Sequence, residues 1–217
     1  MRVRQKVADR IGSGLKRFQP ILQVARACDI NESDTVVLAT DFLQHVLGFD
    51  KYTEIASGHA IRGAYRDLAI TLEGRLALLI EVKAIGLSLK YNHVRQAVYH
   101  AANQGCDWVV LTNGIVWQCF YVTSAGPIAP ELVLELNLLE LSAKKQTDVE
   151  RLWLLAREGI QKAGLADYRT QREAVNRVTL AAVLISDTMP DVTRREMRWI
   201  WPDALLEAAE HCAVRTG

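Results

Sequence analysis

The run Leu-Ala-Leu-Leu-Ile-Glu-Val-Lys-Ala, residues 76–84, is apolar except for one glutamate and one lysine. A run of this length and polarity predicts a β-strand that is covered on both faces. Side chains alternate along a strand, so Glu81 and Lys83 are expected on the same face. Charged groups in such a strand are costly unless a partner charge, a metal ion or hydrogen bonds compensate them. The run therefore predicts a compensated polar site inside a sheet.

A second acid, Asp67, precedes this run in a strand-like segment over residues 65–72 that ends before Glu73-Gly74. If the two segments pair as a hairpin, Asp67 and Glu81 lie near each other on one face. Two acids and a lysine that meet on a sheet are suited to metal-assisted phosphodiester hydrolysis. Simpler alternatives remain open: Asp67 ends a strand, and Glu81 with Lys83 forms an ordinary ion pair.

Magnesium binds oxygen ligands and commonly uses only one or two protein carboxylates. Asp67 and Glu81 are the expected metal ligands, with the backbone carbonyl of Val82 as a third and with manganese as a substitute ion. Lys83 is expected to orient the attacking water or to stabilise the negative charge that grows on the phosphate.

Helical signals place two further polar residues near this site. A helix is predicted after the cap Asn31 and before Gly48, and Glu32 heads its inward row. A second helix over residues 88–104 carries Gln96 beside its buried stripe, where it could hydrogen-bond the nucleophile or a substrate phosphate. The alternatives are that Glu32 only favours the helix dipole and that Gln96 is solvated.

The remaining signals predict an α/β fold with a central mixed sheet, an N-terminal helix and a C-terminal helical extension. The N-terminal helix, over residues 2–27, is expected to be interrupted near Gly12-Ser13-Gly14 or at Pro20. Further strands are predicted over residues 52–57, 108–112, 115–122 and 132–138, with a two-residue hairpin turn at Asn113-Gly114. Capping-box spacings and Pro202 predict tail helices at about 148–163, 170–186, 193–200 and from 202 onwards. The chain accordingly divides into a basic helical segment (1–30), a core (31–141) and the extension (142–217).

Charge and composition narrow the class of protein. The net charge of the 217 residues is only +1, yet residues 82–106 contain no acid. A stretch with basic residues and no acids beside the proposed site could bind a phosphate backbone, although a solvated helix face has the same charge pattern. The expected nucleic-acid contacts in this stretch are Lys90, His93, Arg95 and Tyr99. No apolar run is long enough for a membrane span, and the widely spaced cysteines fit a reducing cytoplasm.

These residues resemble a known family. Asp67-x-Ala-Ile followed by Leu79-Ile-Glu81-Val82-Lys83-Ala84 resembles the D…(D/E)-x-K core of the PD-(D/E)xK nuclease superfamily. More narrowly, residues 31–122 resemble the N-terminal nuclease domain of type I restriction enzyme restriction subunits and their stand-alone relatives. The flanking motifs that fit are Asn31-Glu32, Leu47-Gly48, His93-x-x-Gln96, the run over residues 101–105, and the run from Trp108 to Gly114.

The resemblance implies a restriction-endonuclease-like core and magnesium-dependent DNA cleavage. It implies that Asp67 and Glu81 bind the metal and that Lys83 is the catalytic lysine. It also implies that Glu32 is the acid of the preceding helix and that Gln96 is the glutamine of the motif after the lysine. Two departures are visible: position 100 is His where several such nucleases have Tyr, and the chain has no G-x-x-x-x-G-K-[ST] phosphate loop. The chain is therefore either a free-standing nuclease or one piece of a multi-chain system with a separate motor or specificity subunit, and a homodimer would suit cutting both strands. The competing hypotheses are a non-catalytic DNA-binding or assembly module and a purely structural protein.

Overall fold

The structure is a computed structural model that describes residues 3–57, 68–122, 130–174 and 182. Contacts divide the chain into two units, Met1–Leu165 and Ala166–Gly217. The described helices are α1 (Gln5–Ala27), α2 (Glu32–Phe42) with a π-helical turn (Leu43–Leu47), α3 (Tyr91–Asn103), α4 (Gln146–Trp153), α5 (Arg157–Gln161) and α6 (Gly164–Ala174). The strands are β1 (Ile55–Ser57), β2 (Leu68–Leu72), β3 (Arg75–Val82), β4 (Trp108–Thr112), β5 (Val116–Val122) and β6 (Pro130–Asn137). Among the described residues, no helix is both long enough and apolar enough to cross a membrane.

The six strands form one open sheet in which they lie in chain order. β3 and β4 are parallel, and every other neighbouring pair is antiparallel. Parallel neighbours need a long crossover, which α3 supplies between β3 and β4. The predicted α/β architecture, a mixed sheet flanked by helices with a helix at the N-terminal side, is confirmed at this level.

The β2–β3 hairpin brings the two predicted acid-bearing segments together. Leu68 pairs with Ile80, and the turn residues Glu73 and Gly74 have φ values of 52° and 76°. Positive φ at both central positions is what a two-residue hairpin turn of type I′ requires. The β4–β5 hairpin is confirmed too, but its connection is three residues long, 113–115, where two were expected.

Both faces of the sheet are covered, as the apolar character of residues 76–84 predicts. On one face, the inward row of α3 packs against the sheet, and its buried members are Val94, Ala97, Val98 and Ala101. On the other face, Trp117 of β5 packs against Phe42 of α2, with ring centroids 5.4 Å apart. Leu79 faces α3, so Glu81, two residues further along β3, faces α3 as well.

The predicted interruption of the N-terminal helix is wrong, because α1 runs without a break through Gly12, Gly14 and Pro20. A Cβ at Gly14 would lie 2.7 Å from Val46 Cγ2, so the glycine lets α1 approach the π-helical turn closely. Pro20 lies on the exposed side, and the buried residues around it, Phe18 and Leu22, hold the helix in place. Packing outweighs the local cost of glycine and proline here.

Arg10 of α1 ties several elements together. Its guanidinium donates hydrogen bonds to the Glu158 carboxylate at 2.8 and 2.7 Å, and to the carbonyl oxygens of Val46 and Leu47. Burial alone would raise the pKa of Glu158, but the hydrogen bonds and charge of Arg10 outweigh it and lower that pKa. The hydrogen bonds from Arg10 satisfy the last carbonyls of the π-helical turn, and Gly48 ends this turn with φ at 84°.

The predicted tail helices differ from the observed ones. The helix expected at about 148–163 is two helices, α4 and α5, because the backbone at Ala156 is extended, with ψ at 157°. After this break the chain folds back so closely that a Cβ at Gly159 would lie 2.0 Å from the Trp153 carbonyl oxygen. The capping residue of α4 is Lys145 rather than Thr147. Thr170 lies inside α6, where it bonds the Ala166 carbonyl, instead of starting a helix. The helices predicted from 193 and from Pro202 lie outside the described residues, as does most of the one predicted at 170–186.

Candidate functional site

The site lies at the end of β3, where the chain leaves the sheet. The Lys83 amide donates to the Thr112 carbonyl at 2.8 Å, which extends the parallel pairing past the strand. The Asn113 side chain donates to the carbonyls of Ile85 and Leu87 at 3.3 and 3.0 Å. The turn after β4 therefore holds the loop after β3 and fixes the direction in which Lys83 leaves the strand.

Acidic and basic side chains contact one another in a row at this position. Glu81 is 3% exposed, and its Oε1 accepts a short hydrogen bond from the Lys83 ammonium. Its Oε2 lies 3.6 Å from His100 Nδ1 on α3. Lys83 Nζ also lies 4.0 Å from Glu32 Oε2, at the start of α2. We name these four residues, Glu32, Lys83, Glu81 and His100, the acid–lysine cluster.

The burial of Glu81 makes its negative charge energetically costly. A carboxylate as buried as that of Glu81 is tolerated when its oxygens are compensated. The Lys83 ammonium does so at Oε1, and the Lys83 side chain is itself only 13% exposed, whereas the His100 imidazole approaches Oε2 at 3.6 Å, just beyond hydrogen-bond distance. The outer members are more open, with side-chain exposures of 40% for Glu32 and 22% for His100. Glu81 is thus the buried part of the cluster, and Glu32 and His100 are the parts that solvent reaches.

Helix α2 brings Glu32 to the cluster through its first turn. The Asn31 side chain accepts a hydrogen bond from the Asp34 amide at 3.0 Å, as the predicted cap requires. Thr35 is fully buried, and a Cβ at Gly114 would lie 3.3 Å from its methyl group. This close packing on the β4–β5 turn sets the start of α2 beside the end of β3.

The other predicted residues are divided between two places. Gln96, Arg95 and Tyr99 are exposed on α3 and line a cleft of about 460 Å³ that His100 lines as well. Lys90 is the capping residue of α3, and its amide donates to His93 Nδ1 at 3.2 Å. The structure does not bring Lys90 and His93 into contact with the acid–lysine cluster, and they serve the start of the helix.

The other two predicted metal ligands are Asp67 and Val82. Asp67 lies outside the described residues. The Val82 side chain is fully buried, and strand alternation points it to the face opposite Glu81. A carbonyl role for Val82 stays a prediction.

Sequence reasoning missed His100 as a member of the site. Two signals were available: it occupies the position where several related motifs have tyrosine, and it follows Gln96 by four residues, which places both on one side of α3. Tyr99, which was expected near nucleic acid, is 62% exposed and does not belong to the acid–lysine cluster.

The donors present determine which ion the site could hold. In the part of the chain that the structure describes, no group of three or more His, Cys, Asp and Glu side chains is arranged around a common metal position. The cluster itself supplies two carboxylates that face one ammonium, from Glu81 and Glu32. Carboxylate oxygens are the ligands that magnesium prefers, and it needs only one or two of them. The chemistry of this donor set suits magnesium better than a softer ion.

No protein-family model matches the chain, and neither a curated protein nor a solved structure matches it. What supports a function for this chain is therefore its site geometry and the short motifs that resemble the nuclease superfamily.

Proposed function

We propose that this chain is a magnesium-dependent endodeoxyribonuclease of the restriction or defence type, built on a restriction-endonuclease-like core. The observation that supports it most strongly is the contact chain from Glu32 through Lys83 to Glu81. Residues from two separate parts of the sequence, Glu32 and the Glu81-x-Lys83 motif, meet at the end of the one parallel strand pair among the described strands. An acid–lysine group of this kind suits phosphodiester hydrolysis.

In this proposal Lys83 contacts the substrate. An ammonium group has three N–H donors, so Lys83 can hold Glu81 with one and donate to a phosphoryl oxygen with another. Its charge would then stabilise the negative charge that develops as water attacks phosphorus and the ester bond breaks. Its low exposure strengthens that effect, because the interaction is less screened by water.

Glu81 and Asp67 would hold the magnesium ion, together with the carbonyl of Val82. Asp67 immediately precedes Leu68, and Leu68 pairs with Ile80, the neighbour of Glu81. When bound, magnesium supplies polarisation of a phosphoryl oxygen and activation of water. In this proposal His100 lies beside the second oxygen of Glu81, Glu32 orients the attacking water and Gln96 binds a substrate phosphate.

The expected partner is DNA, with a separate motor or specificity subunit as a further one. A homodimer would place two such sites on a duplex. A cytoplasmic location belongs to the same proposal, because widely spaced cysteines fit a reducing compartment.

Incubating the full chain with plasmid and linear DNA tests the proposal. We expect cleavage with magnesium or manganese and none with EDTA. Lys83→Met should lower the rate by about a hundredfold to a thousandfold, the usual cost of removing one donor to a developing charge. Lys144→Met, which removes an exposed lysine far along the chain, is the matched control and should cleave normally. Cleavage that persists in EDTA, or that is equal in the two lysine variants, would contradict the proposal.

A non-catalytic DNA-binding or assembly module is the second candidate, favoured by the fact that Lys83 already compensates both carboxylates. It gives a different result in the same assay: salt-sensitive DNA binding that ignores EDTA and Lys83→Met, with no cleavage.

A further inference from the structure

Helix α3 carries an aromatic and basic row on its exposed side. Tyr91 and Tyr99 are 70% and 62% exposed, and Arg95 lies midway between them in the sequence. Residues four apart share one side of a helix, so the three form a continuous row. The two tyrosines are about 12 Å apart along the helix axis, at 1.5 Å per residue. We name these three residues the tyrosine row.

The row borders the cleft that reaches the acid–lysine cluster. Asn92, Gln96 and His100 line the same cleft of about 460 Å³. His100 belongs to both the cleft and the acid–lysine cluster, since His100 Nδ1 lies 3.6 Å from the Glu81 carboxylate. Of the described lining residues, Arg95 is charged and none is acidic. A ligand in this cleft would therefore meet the positive charge of Arg95, and His100 would separate it from Glu81.

Exposed tyrosines beside an arginine suit one kind of nucleic acid. Bases of a duplex stack on each other, so their faces are not available to aromatic side chains, whereas unpaired bases can stack on tyrosine. Arginine binds a phosphate between stacked bases, and amides such as those of Asn92 and Gln96 bind base edges or phosphates. The volume of the cleft is within the range of small-ligand sites, which suits a nucleotide or two of one strand rather than a duplex.

We propose that the α3 cleft binds unpaired, single-stranded DNA, with bases stacked on Tyr91 and Tyr99 and a phosphate on Arg95. The delivery of that strand to Glu81 rests on the proposed nuclease function, but the binding itself does not. The substrate class is then a strand end, a gap or an opened duplex.

Binding measured in EDTA separates this proposal from cleavage. Fluorescence anisotropy is followed with a labelled oligothymidylate of about 15 nucleotides, a length within known single-strand site sizes, and with the matching duplex. We expect the single strand to bind at least about tenfold more tightly than the duplex. Tyr99→Ala and Tyr91→Ala should each weaken single-strand binding about tenfold or more, whereas Tyr99→Phe should retain it because stacking needs only the ring.

Tyr52→Ala is the matched control, because Tyr52 is 89% exposed outside α3, and it should bind like the original chain. Equal affinity for single strand and duplex, or Tyr99→Ala binding as tightly as Tyr52→Ala, would overturn the proposal. If DNA is cleaved with magnesium but the tyrosine variants bind normally, the tyrosine row is refuted and the nuclease remains. If the tyrosine variants lose binding but no metal supports cleavage, the row stands and the nuclease function fails.

Discussion

Replacing Glu81 with glutamine is expected to lower magnesium-dependent DNA cleavage by about a thousandfold. The substitution keeps the shape of the side chain but removes the charge that would hold the metal ion, whose contribution to stabilising the transition state is worth several kcal/mol. A loss of about 4 kcal/mol corresponds to about a thousandfold in rate. Because Glu81 is the most buried member of the acid–lysine cluster, bulk water can replace its charge only poorly. Initial cleavage rates at saturating magnesium give the measurement.

Glu135→Gln is the matched control, since Glu135 is an exposed strand glutamate that contacts Gln118. It should cleave DNA at the original rate. Removing one member of a buried ion pair can also destabilise the fold, so circular dichroism and the double variant Glu81→Gln/Lys83→Met accompany the assay. Double and single variants that are folded and yet cleave at the original rate would refute the role of Glu81.

Trp117→Ala should produce the largest loss of stability, about 3–5 kcal/mol of unfolding free energy. Trp117 is 1% exposed, packs against Phe42, and donates its indole N–H to the Gly114 carbonyl at 3.1 Å. Removal leaves a large cavity between α2 and the sheet and also loosens the turn that carries Asn113. Urea denaturation followed by circular dichroism measures the change, and the melting temperature should fall by roughly 10 °C.

Trp108→Ala tests whether this effect comes from burial. Trp108 lies in the same hairpin, is half-buried, and meets Tyr121 edge-to-face at 5.1 Å. Its loss should cost about 1–2 kcal/mol, through a smaller buried area and one aromatic contact. Equal destabilisation by the two substitutions would contradict the packing described for Trp117.

Sequence alone predicted the elements whose signals are local. The apolar run at 76–84, the cap Asn31, the glycines that end helices and the turn at Asn113 each depend on neighbouring residues. Each is found where expected, although the turn at Asn113 is one residue longer than predicted. The contact between Glu81 and Lys83 was predictable for the same reason, because strand alternation is enough to place both on one face.

What could not be predicted depends on contacts between distant segments. Gly14 looks like a helix breaker until Val46 is known to pack on it, and the close approach of Gly159 to Trp153 is likewise invisible in the local pattern. His100 joins Glu81 only through the packing of α3 on β3, which sets the rotation of the helix. The site was therefore predictable along its strand and not across to the facing helix.

Titration calorimetry with manganese measures whether the acid–lysine cluster and its neighbouring acids bind a divalent ion. We predict saturable binding by the original chain, binding that is lost in Glu81→Gln, and binding that is retained in Glu135→Gln. If the original chain takes up no ion with or without DNA, or if Glu81→Gln binds it equally well, the account is contradicted.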